Sequence, residues 1–407
     1  MPEMETVDLE TDLSLFKYDN LEQLPPAYRD LEAAEREARI EAAREDLGDD
    51  VVQLPPAYRD LEAAEREARI EAAREDLGDD VVVLGHNYQR REIVEHADFI
   101  GDSYQLSKHA AEADADYVVF CGVTFMAESA DIITGNDQTV VLPSMEASCP
   151  MAGMAEALQV DAAWTELNEA APDADVVPIT YMNSYADLKA FCAEQGGLVC
   201  TSSNAHRAFE YAFERGDKVL FLPDKHLGDN TAHRLGMADA TAEWDPWDPE
   251  AADAAEVADA DIVLWDGYCQ VHERFTRSHV ESFREAHPDG NVIVHPECRR
   301  EVVEAADVAG STSTICETVE NADPGETWAI GTEIHLTNHL QRWHPEVEVL
   351  PLCGDACMDC NAMRQVDPNY LTWVLEELAD GNERNVVEVD PREKELAGLA
   401  LERMLEV

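Results

Sequence analysis

The sequence predicts an α/β protein of three related three-layer αβα domains in a pseudo-threefold arrangement around a central active site. Two observations support this fold class. Short apolar segments alternate with helical stretches along the chain, which is typical of parallel sheets flanked by helices. Three of these segments end in a polar cluster, and each is followed by a hydroxyl-containing turn and later by a cysteine. Because sites in such folds lie at the carboxyl ends of strands, three similar units would share one centre.

The chain has 407 residues, which is more than one hydrophobic core usually holds. We predict an N-terminal extension (1–52), a first domain (53–155, completed by 356–407), a second domain (156–270) and a third domain (271–355). The predicted strands are 81–84, 117–120, 139–142, 176–180, 218–222, 262–265, 291–294 and 347–350.

The N-terminal extension contains an exact duplication, in which residues 23–52 recur without change as residues 53–82. Divergent repeats build solenoids, whereas an identical pair indicates a recent event. Only the second copy continues into the first predicted strand. We therefore interpret the first copy as a tandem duplication or an artefact, the alternative being an additional surface helix.

The acidic composition restricts the possible partners. Asp and Glu number 87 against 29 Lys and Arg, giving a formal charge of −58. Such a chain repels nucleic acid and anionic membranes, so neither is expected as a partner. Acidic residues throughout the patterned regions, with few lysines, are typical of a halophilic archaeal protein. With no long apolar run and no signal-peptide pattern, a cytoplasmic location is expected.

The first predicted strand of each domain ends in side chains suited to acid–base chemistry. Near 295, an imidazole and a carboxylate lie two positions apart, a combination that suits proton transfer. The other two clusters could orient a substrate or shuttle protons. The candidate residues are His86 and Tyr88, Tyr181 and Asn183, and His295 and Glu297.

Each polar cluster precedes a turn rich in hydroxyl groups, at 101–103, 201–203 and 310–312. Ser103 lies 17 positions after His86, and Thr312 lies 17 positions after His295. Backbone N–H groups at a helix N-terminus, together with a hydroxyl, bind anions without a side-chain charge. The alternative is that Ser103, Ser202 and Thr312 merely cap their own helices.

One cysteine follows the last predicted strand of each domain. The three cysteines are Cys149, Cys269 and Cys360. They lie 46, 67 and 48 positions after the hydroxyl turns, and an acidic surface insertion at 237–261 would account for the longer middle spacing. Three thiolates can hold a four-iron cluster with one iron open to act as a Lewis acid. Zinc is the competing metal, although structural zinc sites usually contain close pairs of ligands.

The segment Cys353-x3-Cys357-x2-Cys360 is the one compact cysteine group. Alone, it matches the spacing of radical S-adenosylmethionine enzymes, which would use all three as ligands. A non-enzymatic iron–sulfur redox sensor is a further alternative. Cys353 and Cys357 could instead form a regulatory disulfide if their Cα atoms lie within about 7 Å.

Over roughly residues 53–380, the chain resembles the quinolinate synthases. The resemblance is carried by motifs that occur in family order. They are GHNYQ (85–89), HADFIGDS (96–103), CGVTFMAESA (121–130), SCPMAGM (148–154), TYMNS (180–184), TSSNA (201–205), PDKHLG (223–228), GYCQVHERF (267–275), HPEC (295–298), GSTS (310–313), GTE (331–333) and CNAM (360–363). Gln270 departs from the family, which often has proline after the ligand cysteine.

The resemblance implies condensation of iminoaspartate with dihydroxyacetone phosphate to quinolinate, with loss of phosphate and water, in de novo NAD biosynthesis. It implies a [4Fe–4S] cluster on Cys149, Cys269 and Cys360. It further implies Glu297 and Tyr88 as proton-transfer groups, with Tyr181 and His295 positioning the substrate. The implied substrate contacts also include His86, Ser103, Asn183, Ser202, His272 and Thr312. The enzyme that supplies iminoaspartate is a possible partner.

Overall fold

The computed structural model describes residues 54–134, 138–247, 254–354, 357 and 359–407. Residues 23–52, the first copy of the duplication, lie outside the described residues. The described chain forms three parallel sheets flanked by helices, which confirms the predicted fold class. Five short 3₁₀ helices are also described, and they are Pro56–Tyr58, Gly78–Asp80, Ala152–Met154, Ala238–Ala240 and His272–Arg274.

The first sheet has the strand order β2-β1-β3-β4, and all its pairs are parallel. Every residue of β1 is buried, as expected for a strand covered on both faces. The strands are β1 (Val81–His86), β2 (Phe99–Gly101), β3 (Tyr117–Cys121) and β4 (Thr139–Val141). The helices are α1 (Ala63–Leu77), α2 (Arg91–Val94), α3 (Ser103–Glu112) and α4 (Thr124–Ile133).

The second sheet has the order β6-β5-β7-β9-β8. Its edge strand β8 lies within the acidic segment 237–261, and Trp244 at its end is buried, so this part of the segment belongs to the sheet. The strands are β5 (Val176–Tyr181), β6 (Leu198–Cys200), β7 (Lys218–Leu222), β8 (Thr241–Trp244) and β9 (Ile262–Trp265). The helices are α5 (Ala157–Ala170), α6 (Ala186–Glu194), α7 (Ala205–Phe213), α8 (Lys225–Arg234) and α9 (Ala254–Asp259).

The third sheet has the order β11-β10-β12-β13, which repeats the order of the first. Separate apolar clusters fill its two faces, giving the three-layer arrangement. The strands are β10 (Asn291–Val294), β11 (Val308–Ala309), β12 (Thr327–Gly331) and β13 (Glu348–Pro351). The helices are α10 (Arg277–Ala286), α11 (Arg300–Ala305), α12 (Thr312–Glu320) and α13 (Ile334–Trp343).

The C-terminal segment connects the first two sheets. It contains α14 (Asn361–Arg364), α15 (Pro368–Ala379) and α16 (Pro391–Leu405). Helix α15 packs on α1, whereas α16 packs along α6 and β6. Between these two helices, Val387 N donates a hydrogen bond to Val140 O in β4, and Asn385 O accepts one from Leu142 N, just after β4. The last helix therefore lies against the second unit as well as the first.

The three sheets share one plan. In each, the first strand (β1, β5 or β10) leads into the polar cluster, and a short edge strand (β2, β6 or β11) leads into the hydroxyl turn. The strands β4, β9 and β13 lead into the cysteine loops. Within the part of the chain that is described, no helix combines the length and apolarity needed to cross a bilayer.

Candidate active site

The carboxyl ends of the three sheets border one pocket. All thirteen residues predicted as catalytic, substrate-binding or metal-ligating line it. They are His86, Tyr88, Ser103, Cys149, Tyr181, Asn183, Ser202, Cys269, His272, His295, Glu297, Thr312 and Cys360. The predicted convergence of three strand-end clusters is therefore present in the structure.

The hydroxyl turns begin the helices that point into the pocket. In two of them a different residue caps the helix, because Asp102 accepts from Gln105 N and Ser311 accepts from Thr314 N. Ser103 and Thr312 are the next residues, so their hydroxyls are not the caps. This removes the purely capping explanation for both and leaves their hydroxyls beside N-terminal N–H groups, where anions bind favourably.

Glycine permits the tight geometry of one of these turns. A Cβ atom on Gly310 would lie 2.5 Å from Thr314 Cγ2, too close for any other residue without rearrangement. Across the pocket, Ser313 Oγ donates to Asp102 Oδ2 at 2.7 Å. The first turn of α12 in the third unit is thus bonded directly to the hydroxyl turn of the first unit.

Glu297 is the buried carboxylate at the centre of the site, with 2% of its surface exposed. Its Oε2 lies 2.6 Å from His272 Nδ1 and 3.8 Å from His295 Nδ1, and Tyr181 donates a hydrogen bond to the carboxylate. Burial alone would raise the pKa of Glu297. The two imidazoles and the hydrogen bonds from His272 and Tyr181 outweigh burial and lower the pKa to about 2.

Two imidazoles and two phenols of the wall stay uncharged near pH 7. Burial lowers the pKa of His86 and of His295 to about 3, so both imidazoles are neutral near pH 7. Burial also raises the pKa of Tyr88 and Tyr181 well above the ordinary value of a phenol, which keeps both protonated. Around Glu297, the site therefore combines an ionised carboxylate with neutral imidazoles and protonated phenols.

The pocket wall contains no lysine or arginine among the residues that the structure describes. Behind the wall lies the buried Lys189, which donates to the carbonyl of Ser184 and lies 5.6 Å from the ring centroid of the pocket residue Phe125. Ser184 Oγ in turn donates to Tyr181 O at 2.8 Å. Lys189 thus fixes the turn that carries Tyr181 and Asn183.

The three pocket cysteines are free thiols, one from each unit. Backbone N–H groups point at each sulfur: those of Met151 and Ala152 at Cys149, that of His272 at Cys269, and those of Ala362 and Met363 at Cys360. Such N–H groups stabilise cluster-bound thiolates.

With no metal bound, burial raises the pKa of Cys149 to about 12 and of Cys360 to about 11, and that of Cys269 well above its ordinary value. A bound metal would deprotonate such thiols outright. Three converging sulfurs with directed N–H donors therefore fit a shared iron–sulfur cluster.

A mononuclear site is a less suitable assignment. Ligand atoms of Cys269, His272 and Glu297 lie within 4.8 Å of one another. However, Nδ1 of His272 lies 2.6 Å from Glu297 Oε2 and Nε2 lies 2.9 Å from Thr332 Oγ1, so both ring nitrogens face polar atoms of the protein. The trio is therefore better described as part of a hydrogen-bonded network.

Cys353 and Cys357 form a disulfide, with their Cα atoms 5.2 Å apart. Cys353 lines a separate surface cavity with Tyr268 and Arg274, whereas Cys360 lines the central pocket. The three cysteines therefore do not face one common centre, as the radical S-adenosylmethionine assignment requires. A regulatory role for the disulfide stays a hypothesis.

Two residues with functional contacts were missed among the predicted site residues. Thr332 Oγ1 lies 2.8 Å from Tyr88 OH and 2.9 Å from His272 Nε2. Glu333 caps α13 and also accepts a hydrogen bond from Cys360 N at 3.2 Å. The only sequence signal for either was the short GTE motif at 331–333.

Comparisons with known proteins agree with one another. A family model described as "Quinolinate synthetase A protein" matches residues 68–406. A protein named "Quinolinate synthase" from Haloarcula marismortui is 74% identical over 404 residues, covering 99% of this chain and 100% of the relative. One from Halobacterium salinarum is also 74% identical over the same shares of both chains. One from Streptomyces coelicolor is 51% identical over 322 residues, which are 78% of this chain and 82% of the relative.

Proposed function

The chain belongs to the quinolinate synthetase A family, and from this we propose that it is a quinolinate synthase that condenses iminoaspartate with dihydroxyacetone phosphate. Quinolinate forms with loss of phosphate and water, for de novo NAD biosynthesis. The observation that carries the proposal is the convergence of one cysteine, one hydroxyl turn and one polar cluster from each sheet on a single pocket. A dicarboxylate and a phosphoester suit a pocket with three sets of anion-binding donors.

We further propose that Cys149, Cys269 and Cys360 hold a [4Fe–4S] cluster. When bound, such a cluster supplies an iron without a protein ligand, which serves as a Lewis acid towards an oxygen of the substrate. The N–H groups directed at the three sulfurs and the absence of any disulfide to them support this assignment.

The hydroxyl turns and polar side chains bind and orient the anionic groups in this proposal. Ser103 and Thr312, at the first positions of α3 and α12, hold carboxylate or phosphate oxygens with the adjacent N–H groups. The remaining contacts come from Ser202, Asn183, His86 and His272, which line the same wall.

Glu297 and Tyr88 transfer protons during the reaction. Glu297 is ionised and can accept a proton, whereas the Tyr88 phenol is protonated and can donate one. Tyr181 and His295 contact or adjoin Glu297 and position the substrate beside it. Buried walls exclude water, which protects the hydrolysable imine during the reaction.

Iminoaspartate hydrolyses in water, so an enzyme that produces it nearby is the partner that this chemistry requires. We place the reaction in the cytoplasm, where the acidic surface is suited to a salt-rich interior. Acidic residues outnumber basic ones 87 to 29 in the chain, so we expect neither nucleic acid nor an anionic membrane as a partner.

Anaerobic purification with iron and sulfide analysis, coupled to a quinolinate assay, tests the proposal. We expect about four irons and four sulfides per chain and quinolinate formation from the two substrates. Glu297→Gln and Tyr88→Phe should keep the cluster and lose most activity. A protein that binds the cluster but forms no quinolinate would instead support a redox sensor.

A further inference from the structure

We propose that Thr332 is a positioning residue that holds Tyr88 and His272 in register with Glu297. This inference rests on the proposed function, because it concerns the groups assigned to proton transfer. Thr332 does not line the pocket, and only 1% of its surface is exposed. It would therefore act through its two partners and not by touching the substrate.

The backbone around Thr332 is fixed by the centre of the third sheet. Thr332 directly follows β12, which pairs with both β10 and β13. Gly331 packs so closely on β10 that an added Cβ atom would lie 2.7 Å from Val294 Cγ1. The carbonyl of Gly331 also accepts from His295 N at 3.1 Å. Thr332 is thus held at the same sheet edge as His295 and Glu297.

The hydroxyl of Thr332 can serve both neighbours at once. Its oxygen lies 2.8 Å from Tyr88 OH and 2.9 Å from His272 Nε2. A threonine hydroxyl has one proton to donate and lone pairs to accept with, so it donates to one neighbour and accepts from the other. This holds whether His272 Nε2 is a donor or an acceptor, since the phenol of Tyr88 can take either complementary role.

Thr332 completes a continuous chain of polar contacts across the site. The chain runs from Tyr88 through Thr332 to His272, then to Glu297 at 2.6 Å, and ends at Tyr181, which donates to the same carboxylate. Its members come from all three sheets. Without the hydroxyl of Thr332, Tyr88 would keep only its 3.3 Å contact with Thr312 and would lose its connection to His272.

The matched variants Thr332→Val and Thr332→Ser distinguish the contribution of the hydroxyl group to activity from that of the side-chain shape. Valine keeps the shape and removes the hydroxyl, whereas serine keeps the hydroxyl and removes a methyl group. We expect Thr332→Val to lower kcat roughly 10- to 100-fold, the effect of leaving buried polar partners unpaired. Thr332→Ser should restore most of that activity.

Three further readouts distinguish positioning from general damage. Iron and sulfide per chain should not change in Thr332→Val, and KM and the affinity for quinolinate should shift by less than about 3-fold because Thr332 lies behind the wall. In a Tyr88→Phe background, Thr332→Val should reduce kcat much less than in the parent, since the partner hydroxyl is already gone.

Several results would overturn the inference. They are parental activity in Thr332→Val, equal losses in Thr332→Val and Thr332→Ser, or full additivity with Tyr88→Phe. If Thr332→Val does not fold, Thr332→Ala replaces it in the same comparison with Thr332→Ser. A parent protein that forms no quinolinate would refute the proposed function itself, whereas an active parent with an active Thr332→Val refutes only this inference.

Discussion

At the scale of single residues, the three pocket cysteines have a role that can be tested one thiol at a time. Each sulfur comes from a different sheet and has its own N–H donors. We expect Cys149→Ser, Cys269→Ser and Cys360→Ser each to abolish the cluster, because each removes one of three anchors. Iron and sulfide content with the visible absorption spectrum measures the loss.

The control for this experiment is Cys353→Ser, which removes a cysteine that is paired with Cys357 and lines another cavity. It should retain the cluster. A cluster that survives Cys149→Ser but not Cys353→Ser would restore the radical S-adenosylmethionine alternative.

Glu333 connects the start of α13 to the loop of Cys360. One carboxylate oxygen accepts from His335 N at 2.7 Å, and the other accepts from Cys360 N at 3.2 Å. We expect Glu333→Ala to lower the free energy of unfolding by about 1 kcal/mol through the lost cap. It should also speed cluster release to a chelator about 10-fold, because the ligand loop loses its support.

Asp390→Ala is the matched control, since Asp390 caps α16 by accepting from Arg392 N, whereas Glu333 also accepts from Cys360 N. We expect Asp390→Ala to lower the free energy of unfolding by a similar amount and to leave the rate of cluster release to the chelator unchanged. Equal release rates in Glu333→Ala and the parent would show that Glu333 does not support the cysteine loop.

Sequence reasoning identified residues that a local pattern marks, and missed those that only folding brings together. His86, Tyr181 and His295 each stand at a strand end, which can be read from the chain. Thr332 contacts Tyr88 although 244 positions separate them in the sequence, and Glu333 contacts Cys360 at a separation of 27 positions. No periodicity or spacing in the sequence predicts such contacts, because they depend on how separate sheets pack.

At the scale of elements, all eight predicted strands are present in the structure, and five others were missed. The missed strands are β2, β6, β8, β11 and β12. Four of them have only two to four residues, too few for an alternating or continuous apolar pattern to be recognised. The equal spacing of 17 positions from His86 to Ser103 and from His295 to Thr312 nevertheless indicated that the first and third units are related.

Glu376 ties the C-terminal helix α15 to the first unit. Arg69 donates to both of its oxygens, at 2.7 and 2.6 Å, and Tyr58 OH donates to one at 2.7 Å. We expect Glu376→Gln to lower the free energy of unfolding by about 1–2 kcal/mol, the usual contribution of hydrogen bonds to a charged group. Denaturant unfolding measures the change.

The contribution of Glu376 should depend on pH. Its hydrogen bonds with Arg69 lower its pKa below the ordinary value of 4.5, so the unfolded chain binds more protons in that window. The stabilisation is complete above the ordinary pKa and is lost as pH falls through the lowered one. The difference between the parent and Glu376→Gln should shrink on acidification, and a difference that grows would contradict the assignment. Glu377→Gln, which removes an exposed contact with Arg384, is the control.

The duplicated segment can be tested by deletion. Removing 23–52 joins residue 22 to a second copy of the same sequence, so the local sequence at the junction is unchanged. All strands of the three sheets and every pocket residue lie beyond residue 53. We expect the deleted protein to keep its melting temperature and its activity, and unfolding on deletion would show that the first copy is a structural element.

At the scale of the whole molecule, the formal charge of −58 should make stability depend on salt. Self-repulsion opposes the compact state, and mobile ions screen it over a Debye length of about 3 Å at 1 M salt against about 10 Å at 0.1 M. We expect the melting temperature to rise steeply between 0.1 and 3 M KCl. Equal melting temperatures in dilute and in molar salt would contradict a halophilic surface, which the similarity to Haloarcula and Halobacterium proteins supports.

Among the described residues, the pocket wall contains no lysine or arginine. This composition affects which anions the pocket can select in concentrated salt. A guanidinium or ammonium group attracts any small anion, so molar chloride would compete with a substrate held by such point charges. Hydroxyl and N–H groups fixed at the starts of α3 and α12 point in set directions from separate sheets. A spherical chloride ion cannot satisfy them together, whereas a molecule with several anionic oxygens can. We therefore expect affinity for such a molecule to persist at salt concentrations that would saturate a cationic pocket.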